Sequence, residues 1–156
     1  HSNGFSLIRK ILQVAHADLE SPLDGVSLVD RLMAPTRIYV KPLLKLIAEL
    51  PVHGLAHITG GGLVDNIPRV LPDGAALSLR EGSWEVLPIF RLIQSVGKVG
   101  IDEMRHVFNC GLGMLVVVQP NEQGAAMAAI TAAGSRPSTV GTIVERGEGL
   151  PVRFEA

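Results

Sequence analysis

The sequence predicts an α+β or α/β domain in which a mixed sheet is covered by helices. Three observations carry that reading. Segments with apolar residues at three- and four-residue spacing are interspersed with short apolar runs of strand length. These elements follow one another as β-α-β-α-α-β-α-β-β behind two leading helices, and the tail holds two strand candidates around Gly147-Glu148-Gly149 that read as a hairpin. The chain has 156 residues, 47% of them hydrophobic and 19% charged, which suits one domain with a sizeable core and argues against disorder.

Ser2 or Asn3 can cap a first helix whose apolar face is Phe5, Ile8, Ile11 and Leu12. A start this close to a helix cap, without Met, suggests a piece of something longer. Ser21-Pro22-Leu23-Asp24-Gly25 reads as a loop, Ser27 to Met33 as a short helix, and Pro35 as its stop. Tyr39 to Leu50 is helical, with Leu43, Leu44, Leu46, Ile47 and Leu50 on one broad side and Pro51 just beyond the end. His53 to Ile58 is the first clear strand. Pro68 stops the short helical segment after it, Pro72-Asp73-Gly74 is a turn, and Ala75 to Leu79 is a second strand. Trp84 to Val96 has helical period, turning Leu87, Phe90, Leu92 and Ile93 to a core, and Gly97 is placed to end it. Ile101 to Val107 is a further short helix. Met114 to Val118 reads as a fully buried strand, Pro120 to Ala133 as an Ala-rich helix closed by Gly134, and Thr139 to Glu145 and Leu150 to Phe154 as the terminal strands.

Charge and composition remove several classes. A net charge of −1 offers no footprint for nucleic acid or an anionic membrane, so any bound anion must be held locally. The purely apolar runs, Met114 to Val118 among them, are far too short to span a bilayer, and no signal-like start is present. The single cysteine, Cys110, rules out an internal disulfide and suits a reducing, cytoplasmic setting.

Chemistry concentrates where the apolar run Val52 to Ile58 enters Thr59-Gly60-Gly61-Gly62. Successive glycines can turn the backbone through positive φ and expose N–H groups at a helix start, where the dipole favours phosphate. They can equally make only a sharp connection. No Gly-Lys-Ser/Thr follows and no G-x-G-x-x-G is present, so this is neither a P-loop nor a dinucleotide turn. Asp65 suits the helix dipole better than a metal, since no second carboxylate is near. His16, His53 and His106 share no metal-ligand spacing, and Cys110 reads as a small apolar filler rather than a nucleophile.

The wording of the sequence is more specific than its pattern. His1-Ser2-Asn3-Gly4-Phe5-Ser6-Leu7, Pro35-Thr36-Arg37-Ile38-Tyr39, His57-Ile58-Thr59-Gly60-Gly61-Gly62, Asn66-Ile67-Pro68-Arg69-Val70-Leu71-Pro72 and Phe108-Asn109-Cys110-Gly111-Leu112-Gly113-Met114 together resemble, in this order, the C-terminal half of the aminoimidazole ribonucleotide synthetase (phosphoribosylformylglycinamidine cyclo-ligase) family. The resemblance implies an α+β, three-layer α/β/α domain with a mixed, partly ferredoxin-like sheet. It implies that residues 1–156 are a single substrate-side domain and that the N-terminal, ATP-binding domain is absent. The full-length family enzyme closes the imidazole ring of purine biosynthesis with ATP. ATP and Mg²⁺ are then held mainly by the absent domain, no cofactor or metal is expected in this chain, and the full-length partners are a phosphoribosyl substrate, the missing domain and a second copy. The isolated domain is expected to be inactive.

Position in the chain and the resemblance together suggest roles. His57 is the candidate catalytic residue, set against the plainer role of a histidine bonded to a carbonyl at a strand end. Gly60, Gly61 and Gly62 are expected to receive the ribose 5′-phosphate, with Thr59 adding a hydroxyl or only capping the turn. His1, Ser2 and Asn3 are expected to line the cleft. Arg37 and Arg69 are the basic candidates for reaching a phosphate, with surface ion pairing as their plainer role. Two alternatives remain open: a domain of a sister ATP-dependent enzyme, of the selenophosphate synthetase or hydrogenase-maturation type, and a non-catalytic phosphate-binding or dimerisation module.

Overall fold

The computed structural model describes residue 1 and residues 3–156. Ser2, one of the cleft and cap candidates, lies outside the described residues. The elements are α1 (Phe5–Val14), a minimal hairpin β1 (Pro22–Leu23) and β2 (Val26–Ser27), α2 (Leu28–Leu32), α3 (Val40–Glu49), β3 (Val52–His57), α4 (Gly62–Asn66) and a 3-10 turn (Ile67–Val70). They continue as β4 (Ala75–Arg80), α5 (Pro88–Gly97), α6 (Ile101–Val107), β5 (Met114–Val118), a 3-10 turn (Pro120–Glu122), α7 (Gln123–Ala132), β6 (Gly141–Glu145) and β7 (Val152–Glu155). From β3 onward this is the expected β-α-β-α-α-β-α-β-β succession, and the α+β class holds, with α1, α2 and α3 ahead of it at the three segments that read as helical.

The strands are shared out among separate sheets. β3 and β5 pair antiparallel, with His57 opposite Met114. β4 is the centre of a mixed sheet, antiparallel to β6 and parallel to β7. The expected terminal hairpin therefore does not form. β4 lies between its two arms because both its faces are covered, with Ala76, Leu77, Ser78 and Leu79 all buried, and a strand buried on both faces belongs in the middle of a sheet. One core joins both sheets, drawing Ile8 and Ile11 from α1, Ile58 after β3, Leu63 from α4, Leu79 from β4, Ile93 from α5 and Met104 from α6.

Several boundaries move for identifiable reasons. α1 is capped by Gly4 at φ +74 with no side-chain cap, and Asn3 instead donates from Nδ2 to the Val107 carbonyl at 2.7 Å. Ser27 caps α2 as its position suggests, its hydroxyl accepting from the Asp30 N–H. The Ser21 to Gly25 loop contains the tight turn of the small hairpin, with Pro22 opposite Ser27. α5 begins at Pro88 rather than Trp84, since proline is favoured in the first helical turn; Leu87 becomes its exposed cap residue, and Lys98, at φ +50, follows Gly97. α4 ends at Asn66, and the helical segment runs on past Pro68 as a 3-10 turn that begins at Ile67. β5 is only half-buried apart from Leu115, because its sheet has a single partner strand. α3 packs on α7 along a narrow line, so of its broad apolar side only Leu46 is fully buried, and Leu44 and Ile47 face outward.

Candidate functional site

The C-terminal end of β3 and the start of β5 lie side by side, and the connections at that end converge. The Ile58 N–H donates to the Gly113 carbonyl at 3.0 Å, which closes the pair just beyond His57. The segment from Val107 to Gly113 then serves as a seat for His1, Asn3 and Gly4. Asn3 is tied to Val107, and Gly4 lies so close to the Phe108 ring that a Cβ there would collide with it. The seat is itself shaped by Asn109 Oδ1 accepting from the Gly111 N–H at 3.0 Å and by Trp84 Nε1 donating to the Cys110 carbonyl at 3.0 Å.

Three rings meet on this platform. His1 and His57 have centroids 4.8 Å apart at an interplanar angle of 78°, and Tyr39 stands edge-on to both, 5.5 Å from His1 and 5.6 Å from His57. His1 Nε2 lies 3.1 Å from the Tyr39 hydroxyl and 3.3 Å from the Gly113 carbonyl oxygen. The structure thus brings His1 and His57 together. His57 is exposed, and among the described residues its side chain makes no hydrogen bond, unlike a strand-end histidine tied to a carbonyl. Burial raises the Tyr39 phenol above its ordinary value of 10, against the opposing pull of Arg37. Tyr39, the chain's only tyrosine, and Gly113 were visible in the sequence only as members of longer motifs.

The glycine loop follows His57 by two residues, and its three glycines differ. Gly60 is exposed, and the N–H groups of Gly60 and Gly61 have no protein partner among the described residues. Gly62 differs from the other two. Its N–H donates to the Thr59 carbonyl at 3.0 Å and the residue is buried, because α4 packs its first turn directly on the end of α6. Thr59 contributes that carbonyl, so its place in the turn is backbone-mediated. Asn66, which reads in sequence as a first-turn polar residue, ends α4 and folds back, donating from Nδ2 to the Gly60 carbonyl at 3.0 Å and the Gly62 carbonyl at 2.8 Å. An asparagine four residues after the last glycine was the available signal. Asp65 sits in the first turn of α4 with Oδ2 3.5 Å from His106 Nε2, a link from α4 to α6.

Other candidates fall outside this cluster. Arg37 donates to the Gly134 carbonyl at 2.8 Å rather than forming a surface ion pair, and Arg69 is exposed in the 3-10 turn. Among the described residues no three His, Cys, Asp or Glu side chains converge as a metal site, and no helix is long and apolar enough to cross a membrane. Cys110 is buried, with Sγ 3.4 Å from the Met104 carbonyl, and burial pushes its thiol from 9.0 up to about 11, a poor nucleophile at neutral pH. Iodoacetamide at pH 8 should modify Cys110 slowly in the folded chain and rapidly in urea. The folded thiol keeps its proton to about 11 while an unfolded one loses it near 9, so this contribution to stability is present below pH 9 and is lost as pH rises to about 11. Urea midpoints measured across that window should fall, and a flat profile would contradict the assignment.

The chain belongs to a recognised class of domain. The family model described as "AIR synthase related protein, C-terminal domain" matches residues 1–152, and the chain belongs to that family. Among curated proteins it is 52% identical over 149 residues to the phosphoribosylformylglycinamidine cyclo-ligase of Cupriavidus pinatubonensis and 54% identical over 149 residues to that of Burkholderia ambifaria. Each match covers 96% of this chain but only 43% and 42% of those relatives, so the chain spans less than half their length. Among solved structures, the hydrogenase maturation protein HypE of E. coli aligns over 99% of this chain and 44% of its own, with TM-score 0.64 and 19% identity. Thiamine-monophosphate kinase of Stenotrophomonas maltophilia aligns over 96% of this chain and 46% of its own, with TM-score 0.64 and 16% identity. At such identities these two establish the fold alone.

Proposed function

We propose that this chain is the substrate-side, C-terminal domain of a phosphoribosylformylglycinamidine cyclo-ligase, an ATP-dependent enzyme of purine biosynthesis working in the cytoplasm, and that residues 1–156 are that one domain. The observation that carries the reading is the 52–54% identity to cyclo-ligases across nearly the whole chain. In the reaction, the substrate's amide oxygen attacks the γ-phosphorus of ATP and ADP leaves. The amidine nitrogen then attacks the activated carbon, the C–O bond breaks with its electrons departing on phosphate, and the nitrogen sheds a proton. Such chemistry relies on positioning and charge stabilisation more than on a strong nucleophile.

The residues of this chain suit the substrate side of that reaction. The unpartnered N–H groups of Gly60 and Gly61 are the donors we assign to the ribose 5′-phosphate. His57, exposed beside them and beside His1, is the group we assign to the proton. Ser2 and Asn3 are assigned to the lining, Asn3 through its bond to the Val107 carbonyl at the end of α6. ATP and Mg²⁺ are assigned to the remainder of the full-length protein, along with the contacts of a homodimer.

Mixing this chain with the separately produced N-terminal half of a cyclo-ligase tests the proposal. Recovery of substrate-dependent ATP hydrolysis is expected, with neither half active alone. Folded, associated halves that hydrolyse no ATP would overturn it in favour of a non-catalytic binding module. Titration calorimetry on this chain alone should show weak binding of ribose 5-phosphate and hardly any of ATP.

A further inference from the structure

We propose that Tyr39 is a positioning residue: with the Gly113 carbonyl it brackets His1 Nε2, holds the proton of the neutral imidazole on that nitrogen, and leaves Nδ1 as the lone pair His1 offers. The inference deepens the reading of this cluster as the functional site and rests on it, but it follows from the arrangement of four polar atoms and is tested without substrate.

One nitrogen faces two oxygens, at 3.1 and 3.3 Å. The Gly113 oxygen can only accept, and it already takes the Ile58 N–H at 3.0 Å, so it is held in place by the β3–β5 pairing and cannot turn away. A bare Nε2 lone pair would face the lone pairs of that carbonyl. An Nε2–H is attracted to it and to the tyrosine oxygen together. With Tyr39 accepting, its own O–H is directed away from His1, and the phenol, protonated at neutral pH in any case, is held further from ionising by burial. The pair then presents one lone pair and one hydroxyl proton from adjacent rings.

Packing supports the assignment. Tyr39 stands edge-on to both histidines, so its ring limits their rotation while its oxygen selects the tautomer of only one. Gly113 has room for no side chain, since a Cβ there would meet both the Tyr39 hydroxyl and the His1 ring. The three groups thus close on one another in a way that a tyrosine serving only as an apolar spacer would not need.

Nitrogen-15 NMR of ring-labelled protein at a pH where the histidines are neutral reads the tautomer directly. In the wild-type chain His1 should show a protonated Nε2 and a bare Nδ1. In Tyr39→Phe, which keeps the ring and its packing, the share of His1 protonated at Nδ1 should rise about fivefold, the factor one ordinary hydrogen bond is worth, while His57 is unchanged. A wild-type His1 carrying its proton on Nδ1 would overturn the proposal, since Tyr39 would then be donating to Nε2. An unaltered His1 spectrum in Tyr39→Phe would overturn it too. Both results bear on the tautomer alone and leave the cyclo-ligase reading to the mixing experiment.

Discussion

Gly62→Ala should destabilise the fold by about 3–5 kcal/mol, the largest stability effect expected from any single methyl group placed in the glycine loop. Two penalties coincide at this residue. Its φ of +57 is a region that a side chain disfavours, and an added Cβ would collide with the Arg105 carbonyl and lie 2.8 Å from the His106 carbonyl carbon and oxygen. Those obstructing atoms are backbone at the end of α6, so no rotamer change relieves the overlap. Either α4 separates from α6, exposing the fully buried Leu63 and Met104, or the loop distorts. In a domain of this size such a loss lowers the melting temperature by roughly 10 °C. Gly60→Ala is the control, because nothing lies within 4 Å of a Cβ there and its φ is not positive; it should stay within about 0.5 kcal/mol of wild type. Urea unfolding of both variants decides the matter, and a Gly62→Ala loss below about 1 kcal/mol would show that the helix pair is looser than described.

Gly113→Ala should act in the opposite sense, sparing the fold and damaging the site. Here φ is not positive, and the atoms that a Cβ meets are the Tyr39 hydroxyl and the His1 ring, the far ends of side chains that can swing aside. Movement of both rings would break the contacts among His1, Tyr39 and His57 and carry His1 Nε2 away from the Gly113 carbonyl. A displacement of about 1 Å in a positioning group can cost on the order of 100-fold in rate, so kcat/KM in the complete protein should fall by about that factor. The melting temperature should change much less than in Gly62→Ala. Ring-current shifts of the Tyr39 and His57 resonances should move in this chain, with or without the rest of the enzyme. Wild-type ring shifts together with wild-type turnover would show that the cluster tolerates the methyl group and that its geometry is not what the reaction uses.

The two glycines illustrate why the site was only partly legible. Both stand in motifs that the sequence displays, yet their different purposes depend on what lies opposite: α6 backbone for Gly62, two aromatic tips for Gly113. The triple glycine reads as one anion-binding unit in sequence, and in the structure it divides into two N–H groups without a partner among the described residues and one buried packing contact. Asn66, which fastens the loop by donating to two of its carbonyls, gave only the weak signal of a polar residue at four-residue spacing from Gly62.

Local rules decided the succession of elements, because the period of apolar residues and the placement of proline and glycine act within a few positions of each residue. α6 over Ile101–Val107 and β5 over Met114–Val118 follow directly from them. Partner choice among strands was beyond their reach. The tail read as a hairpin since its arms are close in sequence, whereas β4, buried on both faces, gains more from lying between β6 and β7 than they gain from pairing with each other. The same holds for the site: His1, Tyr39, His57 and Gly113 are separated by up to 112 residues, they stand in separate motifs, and no periodicity brings them together. Only the packing of Gly4 on Phe108, the pairing of β3 with β5 and the entry of α3 bring them into contact, so chain order was written locally while the chemistry was assembled by burial.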